Sequence, residues 1–178
     1  MSAVRPGIAI AVLASLGALT PLIAHAAGAA CWIYLPAHVP ALLAGLALGP
    51  VAGLAAGAAT ASADLLWGGR THGMQFLPLG FEFVAYGVSA GLLSRRARSN
   101  GHRLAALVGA MLIGRLVHLA ATVALGTPAM HVLRGLFFIP WPGMLLQLPL
   151  LPIAASWVRA IVWPDTNAPQ QVVGVRSF

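Results

Sequence analysis

Apolar stretches long enough to cross a lipid bilayer constrain the fold of this chain more than any other feature. Of its 178 residues, 60% are hydrophobic and only 7% are charged, whereas a soluble domain normally carries about 25% charged residues. Backbone polar groups in lipid must be satisfied internally, and the alternating strands of a membrane barrel are absent from the sequence. The sequence therefore predicts an all-α polytopic membrane protein. It excludes a soluble enzyme, a disordered chain and a disulfide-rich module.

Six apolar segments can be drawn along the chain, and a helix needs about 20 residues to span the hydrocarbon. The segments are residues 7–24, 36–49, 50–67, 78–94, 103–125 and 141–162. We expect residues 1–165 to form a six-helix transmembrane bundle and residues 166–178 to form a short cytoplasmic tail. Because Pro50 follows Gly49 directly, we also expect a tight turn between the second and third segments.

The arginines predict the orientation of the bundle. With six spans, seven of the ten fall on one side, namely Arg5, Arg95, Arg96, Arg98, Arg103, Arg159 and Arg176. The positive-inside rule makes that side the cytoplasm, so both termini are expected there. This topology also accounts for the isoelectric point of about 11.6, so no nucleic-acid partner is expected.

The first segment has a second interpretation. Arg5, the apolar run after it and the tripeptide Ala24-His25-Ala26 resemble a secretory signal peptide with its cleavage site. Cleavage would leave five spans and move the N-terminus outside.

Charged side chains within the apolar segments are costly in lipid and face a partner or a cavity. Glu82, Asp64 and Arg115 are such residues. One interpretation is a structural ion pair of Arg115 with Glu82 or Asp64. The other is that Glu82, which lies toward the outer side, contacts a ligand.

Polar and aromatic residues gather in the predicted outer loops and in the outer parts of the helices. A few convergent polar groups in an apolar cavity are typical of a small-molecule site. The candidate substrate-binding residues are Glu82, His38, Arg70 and Gln147, with Trp32 or Trp141 offering a ring face. For Trp141 an aromatic belt at the membrane interface is the alternative.

Catalytic and metal-binding patterns are absent from the sequence. No HExxH motif occurs, and no two histidines lie four residues apart on one segment. Cys31 is the single cysteine, so no intrachain disulfide or cysteine cluster can form. We therefore expect neither an enzyme nor a protein that holds a metal or cofactor.

Small residues recur at four-residue spacing in two segments. Gly49, Gly53 and Gly57 form a ridge that serves either internal helix packing or docking of another subunit. Ala14 and Ala18 form a similar pair in the first segment.

Three stretches resemble the substrate-binding S components of energy-coupling-factor (ECF) transporters. Residues 35–50, LPAHVPALLAGLALGP, are similar to the family's H-[IV]-P-x-L-L-A-G-x-x-x-G-P signature. Residues 81–93 are similar to its E-x-x-x-Y-G-x-x-[AS]-G-L-L stretch. Gly114-Arg115 and residues 142–147, PGMLLQ, are similar to its G-R and P-G-x-x-x-Q elements.

The resemblance implies a six-helix subunit in the cell membrane of a prokaryote that captures a vitamin or related micronutrient outside. Pantothenate, cobalamin and queuosine-precursor transporters resemble the chain about equally. Such subunits work with a transmembrane T subunit and two cytoplasmic ATPases. The family docks its T subunit through small residues of the first helix, which would give Ala14 and Ala18 that role. The alternatives are a solitary membrane facilitator and a structural membrane protein without ATPase partners.

Overall fold

In a computed structural model of the chain, residues 5–27, 36–67, 76–97, 99–137 and 140–164 are described, and they contain helices and no strand. The all-α prediction is therefore confirmed for this part of the chain. The helices are α1 (Pro6–Ala27), α2 (Val39–Leu48, directly after a 3-10 turn at Pro36–His38), α3 (Pro50–Trp67), α4 (Phe76–Ser94), α5 (Asn100–Ala124), α6 (Ala129–Phe137) and α7 (Trp141–Val162). The predicted tail lies outside the described residues.

The distribution of side chains suits a lipid environment. Leu66 and Trp157 are 71% and 70% exposed, whereas Glu82 and Arg115 are 0% and 4% exposed. A soluble protein shows the opposite pattern, because water solvates charges and apolar side chains withdraw from it. Within the described residues, α1, α4, α5 and α7 are long and apolar enough to cross a membrane, and α2 and α3 are shorter apolar helices. The chain is an all-α membrane protein.

The short helix α2 occupies the centre of the bundle. It contacts α1, α3, α4, α5 and α7, and most of its side chains are buried. Leu42 and Leu46 of α2 pack with Tyr86 of α4, Leu107 of α5 and Leu151 of α7 in one apolar core. The long apolar helices α1, α4, α5 and α7 are thus arranged around this short one.

Glycines bring α3 and α4 into backbone contact. A Cβ atom on Gly53 would collide with the carbonyl oxygen of Gly87, and one on Gly87 would collide with that of Gly53. A Cβ atom on Gly57 would lie 2.6 Å from the carbonyl oxygen of Phe83. The interpretation of this ridge as internal packing is therefore confirmed for Gly53 and Gly57. Gly49 has a φ of 100° and ends α2 immediately before Pro50, as the predicted turn requires.

Arginines mark one end of the bundle, which we call the arginine end. Nε of Arg159 donates to the carbonyl oxygen of Ala47 at 2.9 Å, so α7 and α2 end together. Nη1 of Arg103 donates to the hydroxyl oxygen of Ser156 at 2.6 Å, which places the start of α5 beside them. Arg95 and Arg96 are exposed between α4 and α5 at the same end. We call the opposite end the site end.

Helix α6 was missed by the sequence analysis, which assigned this region to an outer loop. Helix α5 ends before Gly126, whose φ is 91°, and Pro128 follows. Val132 and Leu136 lie four residues apart on α6 and are both buried. Because α6 packs on α5, this narrow apolar stripe is enough to hold the helix against the bundle.

Candidate functional site

The candidate site is built around Glu82, which lies in the second turn of α4 and is 0% exposed. Its carboxylate meets side chains from α5, from its own helix and from the turn that precedes α2. We call His38, Glu82, Tyr86, Arg115 and His118 the Glu82 cluster. It lies at the site end of the bundle.

Both carboxylate oxygens of Glu82 have close partners. Oε1 accepts hydrogen bonds from the Tyr86 hydroxyl at 2.7 Å and from Nη1 of Arg115 at 2.9 Å. Nε2 of His38 lies 3.5 Å from the same oxygen. Oε2 lies 2.7 Å from Nδ1 of His118, which donates in the tautomer that carries hydrogen there. The buried negative charge is thus compensated by a guanidinium and by further hydrogen-bond donors.

Helical spacing and one glycine hold these side chains in place. Tyr86 follows Glu82 by four residues on α4, so the two side chains lie on one helix face. Arg115 and His118, three residues apart, share a face of α5 in the same way. A Cβ atom on Gly114 would lie 2.5 Å from Cδ1 of Tyr86, so the glycine lets the tyrosine ring lie against α5.

His38 is held by aromatic rings. Its imidazole lies 5.1 Å from the ring centre of Phe83 and 4.9 Å from that of Tyr86, with the second pair close to perpendicular. The residue is buried. It therefore closes the cluster on the side of α2.

The formal charges of the cluster sum to zero when both imidazoles are neutral. Among the described residues, no group of three His, Cys, Asp or Glu side chains has the arrangement of a metal site. The cluster can hold an ion pair, present N–H donors and accept a proton on an imidazole.

The sequence-predicted site residues have different outcomes. Glu82 and His38 are brought together. Gln147 is buried on α7, one turn from Leu151, which packs in the same core as Tyr86. Trp141 begins α7 and is 56% exposed, in keeping with the aromatic-belt interpretation. Trp32 and Arg70 lie outside the described residues.

Of the two structural ion pairs that we considered, Glu82–Arg115 is present. Tyr86 and His118 were not predicted as site residues, although each lies at helical spacing from a charged residue within an apolar segment. The spacing of Tyr86 after Glu82 and of His118 after Arg115 could have predicted that both residues join the site.

Ala14 and Ala18, predicted to dock a T subunit, are half-buried on α1. Between them Gly17 makes the close contact with α3, since a Cβ atom there would lie 2.8 Å from the carbonyl oxygen of Ala56. The two alanines therefore flank the face of α1 that packs inside the bundle.

The fold and the cluster define the class: an all-α membrane protein with a charged, hydrogen-bonded site in its interior. Comparisons with protein-family models, with curated proteins and with solved structures found no match.

Proposed function

We propose that this protein is the substrate-capture S component of an ECF-type importer for a vitamin or related micronutrient. One observation carries the proposal. The stretches that resemble the family are distant in sequence, and three of them each place a side chain in the Glu82 cluster. They supply His38, then Glu82 with Tyr86, and then Arg115.

Glycines of the same stretches also contact one another. A Cβ atom on Gly45 would lie 3.0 Å from the backbone nitrogen of Gly91, and one on Gly91 would meet the backbone of Gly49 at 2.5 Å. The motif residues are therefore coupled through packing as well as through charge. This supports the proposal because the residues that carry the resemblance form one connected unit, as a shared binding site requires.

The proposed mechanism follows from the two ends of the bundle. The positive-inside rule directs the arginine end to the cytoplasm, and the Glu82 cluster then faces the outer half of the membrane. Substrate would enter from outside, toward the Glu82 cluster. The sequence has no phosphate-binding loop, so a T subunit and two ATPases would drive uptake by toppling this subunit in the membrane.

Helix α1 would provide the docking surface for the T subunit through Ala14 and Ala18. This role requires that the first segment be retained. Leu13 of α1 is buried in a cluster with Ala44, Ala52 and Ala56, so removal of the segment would expose those side chains. The packing supports retention over cleavage as a signal peptide.

A structural membrane protein is the second candidate, and one observation favours it. Both oxygens of Glu82 already have close partners in the chain, as a purely structural ion pair requires.

Affinity purification of the chain from its native membranes in mild detergent, followed by native mass spectrometry, tests the proposal. We expect a T subunit, two ATPase subunits and a bound small molecule. A small molecule without ATPases would indicate a solitary facilitator. If neither a small molecule nor an ATPase co-purifies, a structural protein is indicated. Either of these last two results would refute the S-component assignment.

A further inference from the structure

Arg115 uses only part of its hydrogen-bonding capacity within the chain. Its side chain is 5% exposed, and Nη1 binds Glu82 at 2.9 Å. Nε and Nη2 are also buried, yet neither has a hydrogen-bond partner in the described part of the chain. A guanidinium donor in such surroundings is costly unless an acceptor meets it.

The geometry of the Arg115 guanidinium indicates which kind of acceptor can bind its two unpaired donors. Nε–H and one N–H of Nη2 point in parallel from the same edge of the planar group. Their spacing matches the two oxygens of a carboxylate, which arginine binds in a bidentate manner. Nη1, which holds Glu82, lies beyond this edge. One guanidinium can therefore bind Glu82 and a second carboxylate at the same time.

Polar side chains follow Arg115 along α5 toward the site end. Arg115, His118 and Thr122 follow at three- and four-residue spacing, so they lie along one face of α5. The hydroxyl oxygen of Thr122 is buried without a hydrogen-bond partner among the described residues. The side chain of His118 is 20% exposed, which makes it the most accessible of the three residues paired with Glu82 in ion contacts.

We propose that the Nε/Nη2 edge of Arg115 binds the carboxylate of a small organic acid, with Thr122 as a further hydrogen-bond donor. The inference rests on the proposed function, because it makes the captured micronutrient a carboxylate. Glu82 is then a positioning residue, which holds the guanidinium through Nη1 and leaves the opposite edge for the ligand. The imidazoles of His38 and His118 lie beside the Glu82 carboxylate, where they would moderate its repulsion of the ligand carboxylate.

Matched pairs of small molecules test the proposal on the purified full chain in mild detergent. The probes are pantothenate with pantothenol, nicotinate with nicotinamide and propionate with propionamide, because each pair differs in the carboxylate. A ligand that binds only the folded chain raises its unfolding temperature. We expect at least one acid to do so while its neutral partner, at equal concentration, does not. The absence of any effect from the acids, or an equal effect from the neutral compounds, would overturn the proposal.

Arg115→Lys distinguishes the contribution of the two parallel N–H donors from that of the positive charge. Lysine keeps a cation for Glu82 but lacks two parallel donors, so affinity for the acid should fall roughly 10- to 150-fold. Arg96→Lys, an exposed change at the arginine end, should leave affinity unchanged. Unchanged affinity in Arg115→Lys would contradict the proposal. If that variant does not fold, Thr122→Val replaces it: a loss of about 2- to 10-fold supports the site, and no loss overturns it.

These measurements are independent of the importer assignment. Selective binding of an acid by a chain that recruits no ATPases would retain this site and refute the proposed function. Recruitment of ATPases by a chain that does not distinguish acids from neutral compounds would support the proposed function and refute the carboxylate site.

Discussion

Arg115 on α5 and Glu82 on α4 form a buried ion pair in which Nη1 lies 2.9 Å from Oε1. His118 and Tyr86 bind the same carboxylate from the two helices. The pair therefore joins α4 to α5 at the site end, while glycine contacts join α4 to α3. Because both charges are buried, the loss of one partner is more damaging than the loss of both.

Glu82→Gln should destabilise the protein by about 3–5 kcal/mol, since it leaves the Arg115 guanidinium buried and uncompensated. Thermal unfolding of the purified protein in detergent measures this loss. Addition of Arg115→Gln to Glu82→Gln should recover part of it, and a double variant as unstable as the summed single variants would argue against direct coupling. Unchanged ligand affinity in folded Glu82→Gln would show that Glu82 has a purely structural role.

Tyr86→Phe removes the hydroxyl that donates to Oε1 of Glu82 at 2.7 Å but keeps the ring beside His38. A hydrogen bond to a charged group contributes about 1.5–3 kcal/mol, so stability should fall by that order. Ser89→Ala is the matched control on α4, because the Ser89 hydroxyl bonds carbonyl groups of its own helix. Equal unfolding temperatures for the two variants would contradict the assigned hydrogen bond.

Gly87→Ala should destabilise the bundle by about 1–3 kcal/mol, because its Cβ would meet the backbone of Gly53 and push α3 from α4. Gly135→Ala on α6 is the control, since a Cβ atom there meets nothing within 4 Å. Alanine favours helix over glycine, so the control should be neutral or slightly stabilising. Unfolding temperature distinguishes the two, and a tolerated Gly87→Ala would mean that the helices do not approach this closely.

Orientation is testable with cysteines placed at the two ends, after replacement of Cys31 by serine. Gly101 at the start of α5 and His131 on α6 are both exposed. In intact cells an impermeant thiol reagent should label His131→Cys, and it should label Gly101→Cys only after permeabilisation. The opposite pattern would invert the proposed topology.

Ala18→Leu should weaken association with a T subunit, because a bulky side chain prevents close approach of another helix. Ligand affinity should stay nearly unchanged, since the close contacts of this part of α1, at Gly17, are with Ala56 and Thr60 of α3. Ala105→Leu, on the exposed side of α5, controls for added bulk. Because Ala18 is half-buried, the variant must keep its unfolding temperature for the lost association to be attributed to docking. Full association of the variant would exclude this docking surface.

The amino-acid sequence by itself determined the all-α class, the approximate bounds of the apolar helices and the turn at Gly49. It also indicated that arginines gather at one end, as Arg103 and Arg159 do. These properties are local: hydropathy, helix-ending residues and the cost of charge in lipid act on short stretches. The sequence left two possible ion pairs for Arg115, with Glu82 or with Asp64. The cost of a charge in lipid shows that each charged side chain needs a partner, but it does not show which partner.

Only the tertiary structure decided which side chains meet. His118 lies 36 residues from Glu82 in the chain, yet its Nδ1 is 2.7 Å from the carboxylate. That contact depends on how far α4 and α5 are rotated about their axes, and glycines such as Gly87 and Gly114 set this rotation through contacts with other helices. Helix α6 likewise depends on the surface of α5 against which it packs. Hydropathy along a segment carries little information about rotation, because a helix surrounded by lipid and other apolar helices can be apolar on every side.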